Sequence, residues 1–284
     1  MPRLVAARAT RYRNPVSTRP LSDARIRRLH AVLRSALGDA EIPVNPAAAV
    51  KFKVRKVRPL IWTAPRVENW QRTGEVPSKV MVWTREQTAA FLASISGYRL
   101  YALYFLAAHY GLRESEVANL RWLDVDLAAR RIHVRGDVKS GDSDRVIAIG
   151  QFMAEVLLTW KGQQMMERLD WADGWIDSGH VFTKENGQPV RPAWIYERFK
   201  TFTRKARLPP ARFHDLRHGS ATMLIAAGVN IKVVSELMGH ATSAFTADVY
   251  VSVAEELMDA AAAAIEAYLP NGASTVPAQE AGDA

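Results

Sequence analysis

The 284-residue chain contains no cysteine. That excludes disulfides, thiolate nucleophiles and cysteine metal sites at once. No apolar run reaches the roughly 18 residues that a membrane-spanning helix needs, and Met1 to Thr10 lacks the apolar core of a secretion signal. These absences imply a cytoplasmic protein. Acidic residues are also scarce: 29 Asp and Glu stand against 38 Lys and Arg, a net charge of +9. Such an excess points to a polyanionic partner, nucleic acid or an anionic membrane surface, without choosing between them. No internal repeat is visible, and compositional bias is confined to an alanine-rich stretch and tail near the carboxyl end. With 48% hydrophobic residues, the chain can build a substantial core and has room for two domains.

What is present concentrates between Arg212 and Tyr250, RFHDLRHGSATMLIAAGVNIKVVSELMGHATSAFTADVY. If HDLRH opens a helix, His214 and Arg217 are three residues apart and share a face. Ala221 to Ala227 reads as a buried helix with Gly228 as its stop, and a second short helix, Ile231 to Met238, ends at Gly239 and delivers His240. Guanidinium groups bind phosphate oxygens bidentately, a helix N-terminus adds N–H donors, and an imidazole supplies a further donor or a proton. A phenol, with a free pKa of about 10, is a poor nucleophile that an electropositive pocket activates. Phosphoryl transfer to a tyrosine is the reaction this set suggests. Taken singly, each His or Arg reads more readily as a surface or capping residue.

HDLRH at 214–218, LMGH at 237–240 and the downstream Tyr250 resemble the catalytic end of the tyrosine recombinase, or phage integrase, family. The resemblance continues through GLRESEVANLRW at 111–122 and VKSGDSDRVIAI at 138–149, and covers most of residues 83–270. It implies a mostly α fold with a small β-sheet, α+β in class, and an enzyme that cleaves and rejoins DNA at specific sites. By that resemblance Tyr250 attacks a phosphodiester to give a 3′-phosphotyrosyl bond and a free 5′ hydroxyl. Arg113, Arg217 and His240 stabilise the transition state, His214 supports proton transfer and orientation, Lys139 protonates the leaving oxygen, and Glu116 helps hold the site. No metal or cofactor is required. Without the resemblance, Glu116 reads as a helix-surface carboxylate and Lys139 as a solvated loop residue.

The implied partners are double-stranded DNA, other copies of the chain in a dimer or tetramer on DNA, and accessory DNA-bending proteins. The implied location is the nucleoid. A helix expected over Val253 to Tyr268 would dock on a neighbouring copy, although docking on its own domain fits its composition equally well. A type IB topoisomerase-like activity and a catalytically impaired DNA-binding relative are the alternative readings. A metallohydrolase on His214 and His218, spaced as in HExxH, is disfavoured because Asp215 replaces the glutamate and Arg217 would set a cation beside the metal.

Four segments are expected. Residues 1–58 form a basic helical segment that resembles the last part of the family's core-binding domain. Ser22 is expected to cap a helix to Leu37, ended by Gly38, with Ile26, Leu29, Leu33 and Leu37 on an apolar stripe. Arg25, Arg28, Arg34, Lys51, Lys53 and Arg55 are its candidate DNA contacts, or equally a solvated cationic face. Residues 59–82 read as a linker, with Trp62, Trp70 and Trp83 anchoring it on the next domain. Residues 83–269 form the catalytic domain, opened by a Thr84/Gln87 capping box. Within it lie a central apolar helix to Tyr110 that contains His109 as a core residue, strands over 131–135 and 146–149, and helices over 151–169 and 194–206. Residues 270–284 are expected to be a disordered tail.

Overall fold

The computed structural model describes residues 21–40, 44–52, 59–136 and 144–239. Contacts divide the chain into two compact units, Met1–Lys56 and Val57–Ala284.

In the first unit, α1 spans Asp23–Asp39, and the Ser22 hydroxyl accepts the Arg25 N–H at 3.4 Å. The helix runs through Gly38 rather than stopping before it. Asn45 folds the following chain back: its side chain donates to Arg34 O at 2.8 Å and accepts from the Ala47 N–H at 3.0 Å. His30 completes the contact, one ring nitrogen 2.7 Å from Ala47 O and its ring edge-on to Phe52. The short helical turn Pro46–Ala49 is thereby held against α1. That turn is too small to cover the expected apolar stripe, and Ile26, Leu29 and Leu33 are exposed.

The second unit begins with a departure from expectation. Residues 59–82 are not a bare linker but a β–α–β unit: β1 (Leu60–Ile61) pairs in parallel with β2 (Met81–Val82), and α2 (Ala64–Thr73) lies between them. Trp62, Met81 and Val82 are fully buried. Two-residue strands are too short to show alternation, so periodicity gave no signal. The tryptophans do act as anchors. The Trp62 indole donates to Pro210 O at 3.0 Å, the Trp83 indole donates to Pro209 O at 2.8 Å, and Trp70 packs edge-on against Trp62.

Helix α3 (Arg85–Ser94) opens with the expected reciprocal cap between Thr84 and Gln87. Helix α4 (Tyr101–Tyr110) is buried on most sides and ends at Gly111, whose φ is 64°. His109, however, lies on the surface, stacked on Phe105 with ring centroids 4.1 Å apart. Tyr101, Phe105 and His109 are spaced by four and share the one open face of α4. Helix α5 spans Glu114–Asn119. A three-stranded antiparallel sheet follows, in the order β3 (Val125–Asp126), β4 (Arg131–Val134), β5 (Arg145–Ala148), with Ile132 opposite Ile147 and Val134 opposite Arg145.

Helices α6 (Gln151–Trp171), α7 (Pro192–Lys205), α8 (Phe213–Ala226) and α9 (Ile231–Met238) complete the described chain. Phe91, Tyr104, Phe199 and Phe213, from α3, α4, α7 and α8, form a buried aromatic knot with centroids 5.2–6.4 Å apart. Each such ring contributes roughly 1.5–3 kcal/mol through burial. The knot fixes the amino end of α8 against α4. No described helix is long and apolar enough to cross a membrane.

Candidate active site

The last carbonyls of any helix lack partners within it and carry the negative end of its dipole. In α9 those carbonyls are met by arginines from three other elements. Leu237 O accepts from Arg145 Nε at 2.7 Å, Met238 O accepts from Arg217 Nη2, and Gly239 O accepts from Arg113 Nη2 at 2.9 Å. Three consecutive carbonyls thus gather three guanidinium groups that are far apart in sequence.

Arg217 comes from the second turn of α8 and is only 2% exposed. Its Nη1 donates to Gly111 O at 2.7 Å, so it ties the end of α4 to the end of α9. Burial and then the nearby Arg113 push its pKa down to about 9, which leaves it charged at neutral pH. Gly111 is required by both criteria that favour glycine: φ is positive, and a Cβ there would meet Met238 Sδ at 2.5 Å.

Arg113 sits at the head of α5, where the chain is still extended. Glu116, in the first turn, accepts its backbone N–H at 2.8 Å and its Nη1 at 2.5 Å. The same carboxylate accepts Arg145 Nη1 at 3.0 Å and Nη2 at 2.9 Å. Burial would raise the Glu116 pKa, but hydrogen bonds and charge from Arg145 and Arg113 outweigh it and hold the pKa at about 2. Glu116 is therefore a buried carboxylate between two arginines, not a surface helix residue.

His214 stands exposed in the first turn of α8, with its ring edge-on to His218 at 5.2 Å. Protein atoms crowding the ring, and after them the Arg217 guanidinium, push its pKa below the ordinary histidine value. Arg212 and Arg113 add to this and Asp215 opposes it. At the head of α8, Asp215 accepts from the Arg212 backbone N–H at 2.9 Å and from its Nη2 at 2.6 Å.

The structure brings together Arg113, Glu116 and Arg217, with His214 near enough to feel the charge of both arginines. The expected site residues Lys139, His240 and Tyr250 lie outside the described residues. Among the candidate DNA contacts, Arg25, Arg28, Arg34 and Lys51 are exposed in the first unit, and Lys53 and Arg55 lie outside the described residues. Local sequence does not signal the contacts of Arg145, whose partners are distant in the chain. The Arg212–Asp215 pair was open to discovery, because an acid at the third residue of a helix is a local capping signal.

Residues 83–256 match the model of the phage integrase family. The chain belongs to that family. Among its relatives are the tyrosine recombinase XerC-like protein of Caldanaerobacter subterraneus subsp. tengcongensis and the tyrosine recombinase XerC of Chlamydia trachomatis serovar L2. The first is 27% identical over 59% of this chain and 49% of the relative. The second is 28% identical over 75% of this chain and 62% of the relative. The chain spans about half the length of the XerC-like relative and 40% of a XerC 2 relative from Ralstonia nicotianae.

Solved structures agree on the fold. The XerA recombinase is 25% identical and superposes with a TM-score of 0.54 over 62% of this chain and 63% of that one. The Tn1549 transposon integrase in complex with circular intermediate DNA, 22% identical, gives 0.58 over 84% of this chain and 80% of that one. The mostly helical fold with small sheets is that of tyrosine recombinase catalytic domains.

Proposed function

We propose that this chain is a site-specific DNA recombinase that cleaves and rejoins strands through a 3′-phosphotyrosyl intermediate on Tyr250. The observation that carries the reading is the meeting of Arg113 and Arg217 on the adjacent carbonyls of Gly239 and Met238, one residue before His240. Two fixed guanidinium groups at the end of a helix form a receptor for a phosphate, and preorganised donors of this kind stabilise charge that develops in a transition state. In the proposed step the Tyr250 oxygen bonds to phosphorus, the bond from phosphorus to the 5′ oxygen breaks, and Lys139 supplies the proton that this oxygen takes up. Arg113, Arg217 and His240 hold the non-bridging oxygens, and His214, whose surroundings favour its neutral form, takes up the proton that the Tyr250 hydroxyl loses. The 5′ hydroxyl of a second strand then reverses the sequence, conserving the bond without a nucleotide cofactor.

The same reading takes double-stranded DNA as substrate and further copies of the chain as partners, with accessory DNA-bending proteins and residence on the nucleoid. It takes Arg25, Arg28, Arg34, Lys51, Lys53 and Arg55 as backbone contacts of a partial core-binding segment, residues 1–58. The test is covalent trapping on a nicked suicide substrate. Wild-type protein should form a protein–DNA adduct, and Tyr250→Phe should form none while binding DNA as tightly. An adduct that persists in Tyr250→Phe would overturn the assignment. Ligation between two duplexes, rather than relaxation of a supercoiled circle alone, separates recombination from a topoisomerase-like activity.

A further inference from the structure

Arg145 begins β5, and it touches both Glu116, which holds Arg113, and the end of α9. Its side chain is only 8% exposed, against 34% for Arg113. Three of its N–H groups point inward: Nε to Leu237 O, and Nη1 and Nη2 to the two oxygens of Glu116. With the Arg113 backbone N–H and Nη1 added, Glu116 accepts four hydrogen bonds, two on each oxygen. A carboxylate has about four acceptor positions, so this one cannot rotate. The charge count matters equally. Glu116 paired with Arg113 alone would be neutral, whereas Arg145, Glu116 and Arg113 together carry one positive charge, and Arg113 is the member open to solvent.

We propose that Arg145 is a positioning residue for strand cleavage: it clamps Glu116, and through Glu116 aims the Arg113 guanidinium at the phosphate while fixing the end of α9. It does not itself touch DNA. Gly239 belongs to the same device, because a Cβ there would meet Arg145 Nη1 at 2.9 Å and φ is 59°. The proposal rests on the reading of Arg113 as a phosphate ligand.

The full-length chain carrying Arg145→Met or Arg145→Lys is compared with wild type on the nicked substrate in single turnover. Displacement of a catalytic group by about 1 Å costs on the order of 100-fold in rate, so Arg145→Met should lose roughly that in adduct formation. DNA affinity should change little, and its salt slope should not change, because no phosphate contact is removed. Arg145→Lys, which keeps the charge but not the two-pronged grip, should recover part of the rate.

The charged groups facing Glu116 are Arg145 from β5, Arg113 at the head of α5 and Arg217 from α8. Without Arg145 the buried Glu116 takes up a proton more readily. Arg145→Met should therefore gain an acid-side fall in rate that Arg145→Met/Glu116→Gln lacks. A merely structural role would lower the melting temperature and depress the rate equally at every pH. Wild-type rate in Arg145→Met, or a salt slope reduced by about one contact, would overturn the proposal.

The Nη–Hη resonance of Arg113, whose Nη1 donates to Glu116 and Nη2 to Gly239 O, is identified by its loss in Arg113→Lys and reports the geometry without activity. It should be protected from exchange in wild type and averaged in Arg145→Met; unchanged protection would also overturn the proposal. If that resonance responds but wild type forms no adduct, the catalytic reading fails and the clamp stands.

Discussion

Two helix heads in this molecule are built from the same parts and end with different jobs. At α5 and at α8 an arginine occupies the position before the helix, and an acid three residues later accepts both its backbone N–H and its guanidinium. At α8 the local pair is self-contained: Arg212 is 46% exposed, and Asp215, 2% exposed, receives the hydrogen bonds of Arg212. At α5 a third group enters, Arg145 from β5, and the first arginine turns from solvent to Gly239 O. Sequence-local chemistry makes a helix cap in both places. A tertiary partner draws only one of them into the arginine cluster at the end of α9.

The sharpest way to break that contrast is Glu116→Gln. Removing the charge leaves two guanidinium groups without their counterion, so cleavage should fall on the order of 100-fold and stability by roughly 3–5 kcal/mol, read by adduct formation and denaturant unfolding. Acid titration of the wild type comes next. Glu116 is held at about 2 against an ordinary 4.5. Its folded pKa is depressed, so its contribution is complete above 4.5 and is lost as pH falls from there toward 2. The loss amounts to about 3 kcal/mol. Unfolding midpoints followed through that window should show the loss in wild type and not in Glu116→Gln.

Asp215→Asn tests the other head. It should cost about 1–2 kcal/mol as a weakened helix cap while single-turnover cleavage stays within a few-fold. The smallest effect is expected for Arg212→Ala. The guanidinium is 46% exposed and the backbone N–H of residue 212 stays on Asp215, so the loss should be about 1 kcal/mol, read by thermal melting. A large cleavage defect in Asp215→Asn would mean the two heads are not distinct in function.

Features written in local sequence were legible. The Thr84/Gln87 cap, the stop at Gly111, and the span of α9 with its end at Gly239 all follow from residues within one turn of one another. The grouping of Arg113, Glu116 and Arg217 was legible only through the family resemblance, because their meeting depends on contacts between α4, α5, α8 and α9. Arg145 lies within the VKSGDSDRVIAI stretch, but its contacts were not legible: at the start of a strand it follows no helical spacing, and its partners Glu116 and Leu237 are 29 and 92 residues away in the chain. The β1–α2–β2 unit escaped because its strands are two residues long. The stripe on α1 showed the opposite failure, since a clean period of apolar residues guarantees amphipathicity but not a surface to bury it on.

The indole bonds from Trp62 and Trp83 to the carbonyls of Pro210 and Pro209 bear on how the protein should be handled. They moor the segment leading into α8, and hence Arg217, to Trp62, which precedes the family match, and to Trp83, which begins it. An expression boundary drawn at residue 83 would delete Trp62, Met81 and Val82 from the hydrophobic interior and cut one of the two moorings. A start upstream of Pro59 keeps both.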